Sequence, residues 1–398
     1  MKPFEIIKDV HWIGALHPDL RVFDIIMPTK NGTTYNSYLI KDEKNVIIDT
    51  VKEKFAEQYV EHIAALIDMK KIDYVIMQHN EPDHSGSLLA LLAAAPQARV
   101  VCAKSAVKYV EKVTNAPVDI LPVSNKEILP LGANSLQFFT TPFCHWPDTM
   151  MTYLVEQKML FSSDIMGAHF CDSRMFDDLT TRDFWPDFKY YFDYIMRPFR
   201  KNVGNAIQKA KDLPVEIVAP SHGPILRTNV RKYIDAYEKW CRPLEANDPP
   251  KMLIYYASAY GYTGAMATKI AEGAESRGVE VDVFDATEID VQEHLDLIEK
   301  ADALLLGSPT INSHVVKPVW DVLNGLITID VKGKIAASFG SYGWSGEAVE
   351  QLDGRLKAMR FKVPYDGLRA ILAPNADELQ ACFDFGAALA DSMRAVHE

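Results

Sequence analysis

The spacing of apolar residues changes part-way along the chain. From residue 251 onward, short apolar runs at 252–257, 279–284, 303–307 and 334–339 alternate with stretches whose apolar positions recur every three or four residues, at 265–276, 291–300, 315–326 and 346–359, before a final helical stretch from Asp377. Runs of 4–8 residues read as strands and the longer periodic stretches as helices. Strands alternating with helices in this way give a doubly wound parallel sheet covered on both faces. Before residue 250 the strands are shorter and cluster. Segments 33–40 and 45–50 read as a pair joined by the turn Lys41-Asp42-Glu43, and 74–77, 100–103, 149–156, 158–161 and 216–219 read as further strands. Helical periodicity fills gaps, as at 53–69 and 189–211. Between the two patterns lies Glu245-Ala246-Asn247-Asp248-Pro249-Pro250, polar and ending in paired prolines, which suits a linker. Two domains are expected, 1–249 and 250–398, with no internal repeat.

Composition narrows the class. Of 398 residues, 48% are hydrophobic and 24% charged, so each half can bury a core of its own. The net charge of −12 is uneven: residues 251–398 hold 13 Lys and Arg against 22 Asp and Glu, net −9, and residues 1–250 hold 29 against 32, net −3. Binding phosphate backbones needs the opposite sign, so nucleic acid is not an expected partner. Such acidity can serve solubility or steer a basic surface on a redox partner. The longest apolar stretch, 87–95, is half of what a membrane span needs, and the N-terminus lacks the apolar core of a signal peptide. Five scattered cysteines (Cys102, Cys144, Cys171, Cys241, Cys382) argue against a disulfide framework. A soluble cytoplasmic protein without a membrane partner is expected.

Candidate chemistry begins at His79-Asn80-Glu81-Pro82-Asp83-His84, directly after the strand at 74–77. His145, Asp164 and His222 each follow another strand-like segment. Loops at strand ends are where a rigid sheet displays reactive groups. Singly, each residue has a plainer reading: Asp164 as a helix N-cap, His222 as a turn residue. Together, His79, Glu81, Asp83, His84, His145, Asp164 and His222 are too many for one metal and suit two, about 3.5–4 Å apart, with a bridging carboxylate. Four imidazoles and three carboxylates without a thiolate suit redox-active iron, with zinc or manganese also compatible.

The second half carries a different signal. Its first strand leads into 257–264, where Ser258, Tyr260, Gly261, Tyr262, Thr263 and Gly264 open a helix, an anion site built from backbone N–H groups and hydroxyls. Neither a Walker loop nor a Gly-x-Gly-x-x-Gly fingerprint is present, so a phosphate monoester is the natural guest. Two more loops follow the third and fourth strands: Ser308, Pro309, Thr310 and Asn312 in one, Ser341, Tyr342, Gly343 and Trp344 in the other. Ligands of open α/β sheets bind at that edge. Backbone amides of the second loop can bond a flavin's pyrimidine ring, and an aromatic of the third can stack on it.

With these motifs in hand, the chain resembles the flavodiiron proteins (A-type flavoproteins) over essentially its whole length. The family's His-x-Glu-x-Asp-His pattern stands as His79, Glu81, Asp83 and His84, and its later motifs as His145-Trp146-Pro147-Asp148, Asp164 and Ser221-His222-Gly223. The resemblance implies an α/β chain in which an N-terminal metallo-β-lactamase-like αββα sandwich precedes a flavodoxin-like domain carrying FMN. It implies two irons, one held by His79, Glu81 and His145, the other by Asp83, His84 and His222, with Asp164 bridging. Hydrolytic relatives of the fold have His where Glu81 stands, and a carboxylate there favours the harder metal. Reduction of O₂ to water, of NO to N₂O, or of both is the implied activity, with Tyr194 a phenol near the pocket. No Cys-x-x-Cys pair is present, so a separate donor is expected, rubredoxin first and reduced deazaflavin F420 second. Family members are head-to-tail dimers or dimers of dimers. The alternative reading is a zinc hydrolase with a structural or sensory FMN domain.

Overall fold

The computed structural model describes residues 1–397. The chain forms two compact units, Met1–Arg242 and Pro243–Glu398. The predicted linker belongs with the second unit because Asn247 donates both to the Lys300 carbonyl and to Asp302.

In the first unit, a seven-stranded sheet runs in the order Phe4–Ile7, Val10–Trp12, Tyr38–Ile40, Asn45–Ile48, Ile72–Met77, Arg99–Ala103, Ile120–Val123. A five-stranded sheet runs Ile128–Pro130, Ser135–Thr140, Met150–Leu154, Met159–Ser163, Ile217–Pro220. The second sheet shows why two layers of core form. Along its strands Leu136, Phe138, Met150, Leu154, Met159 and Phe161 join the core shared with the first sheet. Their alternate neighbours Phe139, Met151, Tyr153, Leu160 and Val218 join a core with Phe188, Val203, Ile207 and Tyr237 of the helices outside. That is the period-two alternation of a strand, here apolar on both faces. The result is the αββα sandwich.

The helical stretch expected at 189–211 is broken. An α-helix Trp185–Tyr191 passes into a π-helical turn, Phe192–Met196, and a tight turn, Arg197–Phe199, before Arg200–Lys211 resumes. Pro198 is the reason: it has no N–H to give and its ring crowds the carbonyl four residues earlier. The stretch expected at 53–69 is helical only over Ala56–Ala64, flanked by 3₁₀ turns at Glu53–Phe55 and Met69–Lys71.

In the second unit, five parallel strands lie in the order Glu280–Asp285, Lys251–Tyr256, Ala303–Gly307, Ile335–Tyr342, Leu368–Ile371, the 2-1-3-4-5 arrangement of flavodoxins. Leu253, Tyr255, Leu304 and Leu306 face one helical layer, and Met252, Ile254, Ala303 and Leu305 face the other. The fifth strand escaped the sequence reading because its four residues, Leu-Arg-Ala-Ile, are too short to show a period.

Candidate functional site

Four loops of the sandwich bring the candidate ligands together. His79 stands two residues beyond the strand Ile72–Met77, and Glu81, Asp83 and His84 lie around the one-turn helix Pro82–Ser85. The loop is pinned from outside. Asp49 accepts from the Gln78 backbone N–H (2.7 Å) and side chain (3.1 Å), and Asp148 accepts from both nitrogens of Asn80 (3.1 and 2.7 Å). Thr50 donates its hydroxyl to the His84 carbonyl at 2.5 Å. Asp164 follows Met159–Ser163, His222 follows Ile217–Pro220, and His145 lies in the loop after Ser135–Thr140.

The seven side chains form two groups, one of His79, Glu81, His145 and Asp164, the other of Asp83, His84 and His222. Asp164 touches both. Its Oδ2 lies 3.2 Å from Nε2 of His79 and of His145, while its Oδ1 lies 3.3 Å from Nε2 of His84 and 3.7 Å from Nε2 of His222. Glu81 lies 2.8 Å from His145 and 3.5 Å from His79, and Asp83 lies 3.2 Å from His222 and 3.4 Å from His84. Every imidazole presents Nε2 inward. His222 owes this to Nδ1, which sits 2.6 Å from the Thr34 carbonyl and must donate to it. His79 Nδ1 is held 3.0 Å from Ser163 Oγ. Bonding the outer ring nitrogen is how proteins aim an imidazole at a metal.

Charge confirms the fit. Both oxygens of Asp83 and of Asp164, and Nε2 of His79 and His84, are buried without a hydrogen-bond partner. Carboxylates buried this deeply are too costly to keep without cationic charge beside them. Burial alone would lower the proton affinity of these imidazoles, yet the neighbouring Asp164 and Glu81 outweigh it, leaving His79 well above the ordinary range and His145 up to about 9. Burial raises the two carboxyls, but the imidazoles beside them hold Glu81 and Asp164 well below the usual range. The pocket is built for positive charge.

Residues that the sequence did not single out surround it. Asp24 lies in the turn between Val22–Phe23 and Met27–Pro28, and its carboxyl is pushed up to about 7 by burial and by the nearby Glu81 carboxylate. His169 is buried, its Nδ1 2.9 Å from Thr33 Oγ1 and its ring 5.0 Å from that of His222. Tyr194 lies in the π-helical turn with its ring 4.3 Å from Tyr190, whereas the ring of Tyr191 is 5.9 Å from that of His222. One helical step turns a side chain by about 100°, so choosing between these phenols requires the helix phase, which sequence alone does not give.

In the second unit, all three candidate loops open at the C-terminal edge of the parallel strands. Gly261 takes a φ of +84°, with open space where a Cβ would stand, and the helix Tyr262–Glu275 starts immediately after it. Ser258 Oγ accepts from the Gly264 N–H at 3.2 Å, and Thr263 Oγ1 lies 3.1 Å from Ser341 Oγ, tying the first loop to the third. Ser308 accepts from the Val316 N–H and Thr310 from the Ala348 N–H, which shapes the second loop; Pro309 lies within it and Asn312 turns it with a φ of +51°. Tyr342 ends the fourth strand and Gly343 leads to Trp344. Tyr260 and Trp344 are 84% and 55% exposed, large aromatic faces left for a flat ring. An open helix N-terminus and exposed aromatics on loops at the same sheet edge fit a phosphate-bearing flavin.

Comparison with known proteins bears on both halves of the chain. Residues 33–223 match the family model described as "ODP family beta lactamase", and residues 254–386 match "Flavodoxin". The chain is 42% identical to the type A flavoprotein fprA of Rhodobacter capsulatus, covering 98% of this chain and 92% of that one. The chain belongs to the flavodiiron protein family. The chain is also 33% identical to the anaerobic nitric oxide reductase flavorubredoxin of Salmonella arizonae, over 95% of this chain and 80% of that one. The solved rubredoxin oxygen:oxidoreductase of Desulfovibrio gigas superposes with a TM-score of 0.71 at 28% identity, covering 99% of both chains. As a flavodiiron protein the chain is an oxidoreductase whose cofactors are FMN and a diiron centre. Among the described residues, no helix is long and apolar enough to cross a membrane.

Proposed function

We propose that this oxidoreductase reduces a small diatomic, O₂ to water, NO to N₂O, or both, with electrons passed from an external donor through FMN to the diiron site. When bound, FMN would supply electron uptake from the donor, and two irons would supply joint electron delivery to the diatomic. His79, Glu81 and His145 would hold one iron and Asp83, His84 and His222 the other, with Asp164 placed to serve both. The observation that carries this reading is the division of Asp164, whose Oδ2 faces one trio and Oδ1 the other. A single carboxylate shared in this way suits a pocket for two metals. Glu81 in place of an imidazole favours iron over zinc. Ser258, Tyr260, Gly261, Tyr262, Thr263 and Gly264 receive the FMN phosphate. Ser308, Pro309, Thr310, Asn312, Ser341 and Gly343 border the ring system, with Tyr342 or Trp344 stacked on it.

The metal half is the first unit, Met1–Arg242, and the flavin half the second, with the linker ahead of residue 250 belonging to the flavin half. Rubredoxin is the donor that best fits, with reduced deazaflavin F420 second. The working form is a head-to-tail homodimer, or a dimer of such dimers, in the cytoplasm. All five cysteines are free, which suits a reducing compartment. The test is iron and flavin content after anaerobic purification, followed by steady-state consumption of O₂ and of NO with each donor. Two irons and one FMN per chain with turnover on either gas supports the proposal. A zinc-loaded protein that consumes neither refutes it.

A further inference from the structure

Both proposed reactions consume protons at a buried site: four protons and four electrons per O₂ reduced to two waters, or two of each per pair of NO converted to N₂O and water. One hydrogen-bonded chain leads inward from solvent to Tyr35, whose ring packs against His222 of that site. Lys54, exposed, places Nζ 2.7 Å from Nε2 of His17, and Nδ1 of His17 lies 3.2 Å from the hydroxyl of Tyr35. Tyr35 is fully buried, with its ring 5.8 Å from that of His222. The local fold sets the spacing. His17 ends the strand Ala15–His17, which pairs antiparallel with Thr33–Tyr35, so the two side chains are diagonal neighbours across the ladder. Phe55 packs on both rings, at 5.5 and 5.7 Å.

The polarity of the chain follows from donor inventory. An ammonium has only donors, so Nε2 of His17 must accept. Neutral His17 therefore carries its proton on Nδ1 and donates it to Tyr35. The Tyr35 oxygen is an acceptor on that side, and its own O–H proton is left to point elsewhere. The carboxylates whose fields act on this phenol are Asp83, a candidate ligand, and Asp24.

Resting on the proposed function, we infer that Lys54, His17 and Tyr35 form the proton-input path to the metal pocket. In each transfer Lys54 gives a proton to Nε2 of His17, Nδ1 gives its proton to Tyr35, and Tyr35 releases its hydroxyl proton into the pocket. Lys54 then regains a proton from solvent, so one proton enters for each delivered. Tyr35 remains a phenol throughout, and the chain resets by a turn of its hydroxyl and of the half-exposed imidazole. His17 is suited to the middle position. Burial and the charges of Lys54 and Lys52 outweigh Asp19, the opposing charge that faces it, and keep the ring neutral at pH 7.

Two measurements test this. In the metal-free protein, long-range ¹H–¹⁵N spectra show His17 protonated on Nδ1 and bare on Nε2. In the loaded protein, His17→Gln lowers turnover by about ten- to a hundredfold and enlarges the solvent deuterium isotope effect, with iron and FMN content unchanged. Lys54→Met and Tyr35→Phe do the same, and imidazole restores His17→Gly. An Nε2-protonated tautomer, or a His17→Gln enzyme with full turnover and an unchanged isotope effect, overturns the path. If the wild type turns over neither gas while the Nδ1 tautomer is present, the functional reading fails and the hydrogen-bonded chain stands.

Discussion

Replacing Asp164 by Asn removes one charge while keeping the shape of the side chain. Four imidazole nitrogens surround the carboxylate, at 3.2, 3.2, 3.3 and 3.7 Å. A unit charge at these separations is worth about 5 kcal/mol at an effective dielectric near 20. Cations placed among the same atoms lose a comparable attraction, and admitted water screens part of it. The net loss is on the order of 3 kcal/mol, or a hundredfold in affinity. Because Asp164 is shared, the loss falls on both halves of the pocket at once. Asp164→Asn is therefore expected to purify with at most one iron per chain, against two in the wild type, and to keep its FMN. Metal analysis with flavin absorbance on the same sample decides it. Two tightly held irons in Asp164→Asn would refute the bridging role.

Glu81→His restores the imidazole of the hydrolytic relatives; iron loading should fall and zinc loading rise with FMN still bound, and loss of both cofactors would contradict independent sites. Stripping the metals should make stability fall with pH. The folded-state values of His79 and His145 lie above the ordinary 6.5, so their contribution is present below that pH and lost as pH rises through about 9 for His145. A metal-free melting temperature that does not drop between pH 6.5 and 9 would contradict this. Trp344→Ala should weaken FMN binding by about 1 kcal/mol, near fivefold, if Trp344 is the stacking ring. The melting temperature of the flavin-free protein should stay within a degree, because the side chain is more than half exposed.

The fold was legible where the chain repeats a period. The alternation from residue 251 onward specified a doubly wound sheet because buried parallel strands are unbroken apolar runs. It missed Leu368–Ile371, which is too short to have a period. Pro198 breaks the stretch read as one helix, although its consequence follows from proline geometry and was available in the sequence. The metal ligands were legible because ligand chemistry uses few residue types, and each of the seven stands at or near a strand end. The surrounding residues were not. Asp24 reaches Glu81 across more than fifty positions of chain, and Tyr35 and His17 meet through a register that only folding sets. The choice between Tyr191 and Tyr194 depends on a helix phase that the π-helical turn shifts. Those side chains are ordinary residue types whose role is given by position alone.

The proposed function couples a flavin to a dinuclear iron pocket on one chain. It is tested most directly by mixing the anaerobically reduced protein with O₂ or NO in a stopped-flow instrument, with iron-loaded and zinc-loaded samples side by side. Reoxidation of the flavin in the iron-loaded protein should outpace that of free FMN and yield water or N₂O, and zinc should abolish the advantage. Equal rates in the two samples, with hydrogen peroxide as the product of O₂, would contradict the account.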